Sequence, residues 1–306
     1  MAAVAAICYV NRHKIGLKNM HWGDRREKFR AVLEGARCVY PASVYDPMTA
    51  RLAADIGYEI GMFSGSVASL TILGAPDIVV LTLSEFVAQA LRINRAGHLP
   101  LMVDADHGYG NALNVKRTVE ELETAGVCGL SIEDTALPPV YGSLEKPQVL
   151  SIEEGVGKMR AALAGRQDKR LVIVGRSSSI GITGLADTVA RAKAYEAVGV
   201  DAFFMAGAKT RGEVEAVANA VKIPLVLGGP SAELQDLDYL SAQRVRICIQ
   251  GHLPVAAAVR AAYETLKALR EGVKPQDVAG VASPELMKQA TRDADYRRWM
   301  KEFLGG

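Results

Sequence analysis

The chain has 306 residues, 49% of them hydrophobic and 6% aromatic, with a formal net charge of +2. That is enough for one large α/β domain with a full core, or two small domains. Near-neutral charge without a basic block gives no electrostatic footprint for nucleic acid, and no apolar run is long enough to cross a bilayer. The four cysteines, Cys8, Cys38, Cys128 and Cys248, form no CxxC pair. Structural zinc is therefore not expected, and a reduced, cytoplasmic setting is.

In chain order, the apolar run 2–10 has no basic region before it and meets Arg12, His13 and Lys14 at once. Residues 1–23 read as a loose N-terminal extension rather than a signal peptide. The pattern over 24–34 predicts a leading helix that plugs a barrel floor or packs on its side. From about residue 38, short apolar runs alternate with helical periods. The runs 38–42, 59–63, 101–104, 127–133, 171–176, 202–206, 224–228 and 245–250 are the predicted strands. Asp46 before Pro47 marks a helix start, an N-cap followed by proline in the first turn. Thr82 with Glu85, Ser151 with Glu154 and Thr210 with Glu213 fit capping boxes. Gly57, Gly126 and Gly199 end helices and release the chain into buried strands.

Eight such β/α units over 24–272 argue for a closed (β/α)8 TIM-type barrel with an N-terminal helix and an extra C-terminal helix. A doubly wound open sheet is the rival, but no GxGxxG follows the first strand. Residues 253–271 read as the last barrel helix. Beyond it, residues 273–306 form a C-terminal helical extension whose run 283–303 carries Leu286, Ala290, Met300 and Phe303 on one face. Such an appended helix is expected at a subunit interface, so a homo-oligomer is expected.

The segment from Val103 to Gly110 carries the most chemistry. It places Asp104 and Asp106 one residue apart after an apolar run. Carboxylates at i and i+2 of an extended segment point the same way and repel, which calls for a cation between them. A hard dication such as Mg²⁺ suits, because it binds through one or two carboxylates and keeps several waters. On a parallel barrel, function gathers at the carboxyl ends of the strands. Those ends read Ser43-Val44-Tyr45-Asp46, Ser64-Gly65-Ser66, Asp104 with Asp106, Glu133-Asp134, Arg176 and Gly251-His252. The small residues of Ser64-Gly65-Ser66 open a helix and can aim backbone N–H groups at a carboxylate. Plainer readings stand beside these. Asp77 after Pro76 suits a turn, His252 could cap the last helix, and Arg176 could pair structurally with Glu133. Tyr109 reads as packing, and His107 as a hydrogen-bonded neighbour of the site rather than a ligand.

Taken together, these residues resemble the isocitrate lyase / phosphoenolpyruvate mutase superfamily over about residues 29–270. The shared pieces are the Ser-Gly-Ser turn, Asp-Ala-Asp with Gly-Tyr-Gly-Asn, Glu-Asp after the next strand and Arg at the end of the fifth. The string from Asp104 to Val115, with Gly251-His252, is most similar to the oxaloacetate decarboxylase branch. The resemblance implies that Asp104 touches Mg²⁺ (or Mn²⁺) directly, with Asp106, Glu133 and Asp77 holding its waters. It implies that Ser64, Gly65, Ser66, Arg176 and His252 bind a small α-keto dicarboxylate, with Arg176 and His252 catalytic. The implied reaction is Mg²⁺-dependent decarboxylation of oxaloacetate to pyruvate and CO₂ through a metal-stabilised enolate, in a cytoplasmic homotetramer. The alternative is a C–C lyase on a 2-hydroxy di- or tricarboxylate (methylisocitrate lyase-like), or a phosphonate mutase. The family's lyases carry Lys-Lys-Cys-Gly-His in a gating loop after the fourth strand. Here the stretch 137–146 has neither Cys nor His. After strand seven the branch can carry a Tyr, where this chain has Gly228-Gly229-Pro230-Ser231, and Ser177-Ser178 follow Arg176 in place of Thr-Asn.

Overall fold

The computed structural model describes residues 22–139, 141–142 and 147–305. Residues 1–21, which make up nearly all of the expected N-terminal extension and include Cys8, lie outside the described residues. Eight parallel strands follow one another in ring order: β1 (Ala42–Ser43), β2 (Gly61–Ser64), β3 (Leu101–Asp104), β4 (Gly129–Glu133), β5 (Val172–Ser177), β6 (Ala202–Ala206), β7 (Leu225–Gly228) and β8 (Val245–Ile249). A parallel bridge between Val39 and Ile247 joins β8 to the lead-in of β1. The Val39 N–H donates to the Arg246 carbonyl at 2.9 Å, and the Cys248 N–H to the Val39 carbonyl at 3.0 Å. This seam closes the expected barrel. The first predicted strand shrinks to two residues, because Pro41 has no N–H for the ladder.

The helices are α1 (Trp22–Glu34), α2 (Pro47–Ile56), α3 (Gly65–Ala68), α4 (Leu83–Ala96), α5 (Ala112–Thr124), α6 (Ile152–Gly165), α7 (Ser179–Ile182), α8 (Leu185–Val198), α9 (Arg211–Ala220), α10 (Leu237–Ala242), α11 (Leu253–Arg270), α12 (Pro284–Thr291) and α13 (Asp293–Leu304). The expected starts are present: Asp46, Thr82 and Thr210 make full capping boxes with Thr49, Glu85 and Glu213. Ser151 makes half of one, accepting from the Glu154 N–H. At the helix–strand junctions Gly57, Gly126 and Gly199 lie at φ 102°, 84° and 100°, where a Cβ would be strained.

Alternation along the strands sorts the core into two layers. Leu101 and Val103 face the helices, whereas Met102 faces the barrel interior with Met62, Val172, Val174, Phe204, Val226 and Ile247. Helix α1 plugs the amino-terminal end of that interior with Phe29 and Leu33. The Phe29 ring lies so close to Gly129 that a Cβ there would come within 2.6 Å of it. Arg26 anchors the plug by donating to the Val127 carbonyl (3.0 Å), the Glu123 carbonyl (2.6 Å) and Asp168 (2.9 Å). With the floor sealed by apolar and ion-paired groups, the carboxyl end is left open for polar side chains.

The end of the chain departs from expectation in two ways. The last barrel helix forms, but of α11 only Val255 is buried, while Leu253, Val259, Tyr263, Leu266 and Leu269 are exposed. The run expected to be one helix over 283–303 breaks at Arg292, whose φ is 60°. The break lets its guanidinium reach both carboxylate oxygens of Asp55 on α2, at 2.6 and 2.8 Å. Of the predicted apolar face Ala290 is buried, and Leu286, Met300 and Phe303 are exposed.

Candidate active site at the carboxyl end of the barrel

Strand register brings the polar strand ends together. Ser64 on β2 pairs with Asp104 on β3, Asp104 with Ser131 on β4, Glu133 with Arg176 on β5, and Arg176 with Phe204 on β6. Each of these positions continues the inward face of its strand, so their side chains emerge at the mouth. There Ser64, Asp104, Glu133, Arg176 and Phe204 line a cavity of about 480 Å³ together with Ser66, Asp77, Asp106 and His252. The predicted site residues Ser64, Ser66, Asp77, Asp104, Asp106, Glu133, Arg176 and His252 thus share one space. Gly65 stands beside it, opening α3.

Arg176 is the hub. One terminal nitrogen ion-pairs with Asp104 and the other lies 3.5 Å from Glu133. Its carbon lies 5.3 Å from the centroid of the Phe204 ring, and its Nε has no protein partner. Burial pulls the guanidinium down, but Asp104 and Glu133 more than offset it and hold Arg176 above its ordinary value. Asp104 also accepts from the Ser131 hydroxyl at 2.8 Å, and Glu133 from Thr135 at 2.9 Å. Burial, reinforced by Asp104, raises both Asp77 and Glu133. Burial and the charges of Asp104, Asp77 and Glu133 push Asp106 up to about 8. Four carboxylates thus face one guanidinium among the lining residues, an imbalance that a bound cation would relieve. Among the described residues no three acidic or histidine side chains form a ready ligand cage. Hard oxygen donors spread this widely suit a cation that keeps part of its water shell.

The expectation that Asp106 continues an extended segment is corrected. β3 ends at Asp104, and Asp106 adopts φ 47°, followed by Gly108 at 80° and Tyr109 at 61°. The Glu133 N–H donates to the Asp106 carbonyl at 2.8 Å and fixes that turn. The Asp106 carboxylate is thereby pressed onto Gly65, where a side chain would overlap it. Asp134 turns the other way. It is fully buried and accepts from Arg191 (3.0 Å) and Tyr195 (2.7 Å), a structural ion pair behind the sheet.

His252 occupies the N-cap position of α11, yet its side chain caps nothing. Its Nδ1 lies 2.9 Å from the Ser43 Oγ and its Nε2 3.0 Å from the Ser64 Oγ. Burial lowers its basicity, partly offset by Asp104 and Asp77, which favours the neutral ring. His107 does not line the cavity. It is buried, burial and then Lys158 bring it down to about 4, and its carbonyl accepts from Lys158 at 2.8 Å. Tyr109 packs on Phe86 at 6.1 Å between ring centroids. Sequence reasoning gave no role to Ser43, Ser131, Thr135 or Phe204. The inward alternation of β4 and β6 was the available signal for Ser131 and Phe204; Ser43 and Thr135 had none beyond lying at strand ends.

Residues 29–270 match the family described as phosphoenolpyruvate phosphomutase. The chain is 57% identical over 286 residues to an oxaloacetate decarboxylase of Rhodopseudomonas palustris (strain BisB18), covering 94% of this chain and 99% of that protein. It is 56% identical, with the same coverage, to an oxaloacetate decarboxylase of Bradyrhizobium diazoefficiens. Among solved structures, a phosphonopyruvate hydrolase in complex with oxalate and Mg²⁺ superposes with a TM-score of 0.80 at 28% identity, over 92% of this chain and 99% of that one.

Proposed function

Because the chain belongs to the phosphoenolpyruvate phosphomutase family, we propose that it is a carboxy-lyase that decarboxylates oxaloacetate to pyruvate and CO₂. The observation that carries this reading is the convergence of Asp77, Asp104, Asp106 and Glu133 with Arg176 and the Ser64–Ser66 turn on one cavity. The full-length likeness to oxaloacetate decarboxylases supports it.

Asp104 would hold a divalent cation directly, and Asp106, Glu133 and Asp77 would hold it through water. Mg²⁺ is the ion proposed, with Mn²⁺ as a substitute. Bound there, the ion supplies Lewis acidity beside the keto oxygen that gains charge as the carbon–carbon bond breaks. The protein does the rest. Ser64, the N-cap of α3, and Ser66 in its first turn present hydroxyl and backbone N–H donors to one substrate carboxylate. Arg176 offers a fixed cation to the substrate's oxyanion side, its orientation set by Asp104, Glu133 and the Phe204 face. His252, neutral and hydrogen-bonded to Ser64, stands beside that carboxylate-binding turn, where it can help hold the departing carboxylate and, once protonated from solvent, can supply the proton that completes pyruvate.

The experiment is to follow loss of oxaloacetate absorbance with and without EDTA, against the rate of the free metal ion alone. Turnover that falls to background with EDTA and returns with Mg²⁺ is the expected result. Full activity in chelator would overturn the cation, and release of an aldehyde or glyoxylate from a hydroxyacid panel would overturn the reaction class.

The same proposal includes a homo-oligomer, a tetramer of the superfamily type. The exposed apolar side chains of α11 and of Leu286, Met300 and Phe303 support it, since a monomer would leave them in water. Sedimentation equilibrium should give a mass several times 32.7 kDa; a monomer at micromolar concentration would sink the idea. Among the described residues no helix is long and apolar enough to cross a membrane. Cys38, Cys128 and Cys248 are free, buried thiols, in keeping with a cytoplasmic setting.

A further inference from the structure

The imidazole of His252 is gripped at both nitrogens, and the grip extends further on the Ser64 side. Ser43, at the end of β1, lies behind the ring and does not line the cavity, whereas His252, Ser64 and Ser66 do. From the ring, the chain of contacts runs to the Ser64 Oγ and then 2.9 Å to the Ser66 Oγ. The Ser64 Oγ also accepts the Val67 N–H at 3.3 Å as the N-cap of α3. Four side chains from three separate segments thus form one hydrogen-bonded line, with Ser43 at one end and Ser66 at the pocket.

A neutral imidazole has one donor and one acceptor, so such a line can run in two directions. In the first, Nδ1–H donates to Ser43, and Ser64 donates its proton to Nε2. Ser64 is then left to accept from Ser66, and the Ser66 proton is spent inside the protein. In the second, Ser43 donates to Nδ1, Nε2–H donates to Ser64, and Ser64 donates to Ser66. The Ser66 proton is then free to point into the cavity. Only the second direction offers an anionic ligand a hydroxyl donor, and every atom in the line stays paired.

We propose that Ser43 is a positioning residue. By donating to Nδ1 it holds His252 in the Nε2–H tautomer and so turns the Ser66 hydroxyl toward the substrate carboxylate. The choice of tautomer rests on a carboxylate binding at Ser66, and the identity of that carboxylate rests on the decarboxylase reading.

The test uses full-length protein labelled with ¹⁵N-histidine, with H252Q identifying the His252 ring signals. The wild type should show His252 protonated at Nε2, and S43A should shift the ring toward a mixture containing Nδ1–H. S43T keeps a hydroxyl and should restore the wild-type pattern. In parallel, S43A should raise KM for oxaloacetate and weaken oxalate binding, each by about tenfold, the worth of one charge-assisted hydrogen bond. Its kcat should fall less, S43T should recover both constants, and H252Q should lower kcat more than it weakens oxalate binding. A wild-type ring protonated at Nδ1, or S43A with unchanged ring signals and unchanged oxalate affinity, would overturn the assignment. If no preparation consumes oxaloacetate, the decarboxylase reading fails, while the ring signals and the oxalate titration still decide the role of Ser43.

Discussion

Asp104→Ala should abolish cation-dependent turnover while the barrel still folds. The carboxylate sits at the last residue of β3, at the mouth rather than in the packed interior, and its backbone is held by the ladder to β2 and β4. Its loss removes the proposed direct ligand of the cation and the closest partner of Arg176. A Lewis acid placed where charge develops contributes several kcal/mol to the barrier, so kcat/KM should fall by on the order of a thousandfold. The structural cost is smaller. Ser131 loses its acceptor, and Arg176 keeps Glu133 at 3.5 Å, so stability should drop by about 1–3 kcal/mol. Steady-state rates across a Mg²⁺ titration, beside a thermal melt, separate the two effects. A folded variant that still responds to Mg²⁺ would refute the assignment of Asp104.

Gly65→Ala should be nearly as damaging, through sterics alone. Gly65 is the first residue of α3, and a Cβ there would overlap both carboxylate oxygens of Asp106. Asp106 has little freedom to retreat: its backbone is in the left-handed region and its carbonyl is held by the Glu133 N–H. The added methyl must therefore displace either the carboxylate or the turn that aims the α3 N–H groups. A displacement of about 1 Å in a catalytic constellation can cost on the order of a hundredfold in rate. The expected result is that loss in kcat/KM with a melting temperature within a few degrees of wild type, because Gly65 lies at the rim. Wild-type kinetics in a properly folded Gly65→Ala protein would mean that Asp106 is not needed where it lies.

Much of this site was legible in the sequence, for a physical reason. In a two-residue period, the side chain at the end of a strand is aimed by the apolar residues before it. Met102 faces the interior, so Asp104 does too; Val172 and Val174 aim Arg176 in the same way. The same rule separates Glu133, which reaches the mouth, from Asp134, which is buried against Arg191 and Tyr195. What pattern could not supply were contacts that depend on closure in three dimensions. The turn at Asp106 is set by Gly65 at the start of α3 and Glu133 at the end of β4, not by its own segment. The partnership of Ser43 with His252 spans 209 positions and exists because the ring closes. The exposure of α11 was equally hidden, since an amphipathic pattern says that a face wants covering but not by what.

The bridge from Val39 to Ile247 has one more consequence. The first and last strands meet at this seam, and the Ser43–His252–Ser64 contacts straddle it, so the imidazole reaches its serines only after nearly the whole chain has emerged and wrapped around. A nascent polypeptide lacking its final β/α unit has the acidic side chains and the arginine but not the imidazole. The full set of proposed site residues is therefore assembled only with circularisation of the sheet, rather than growing with each unit added.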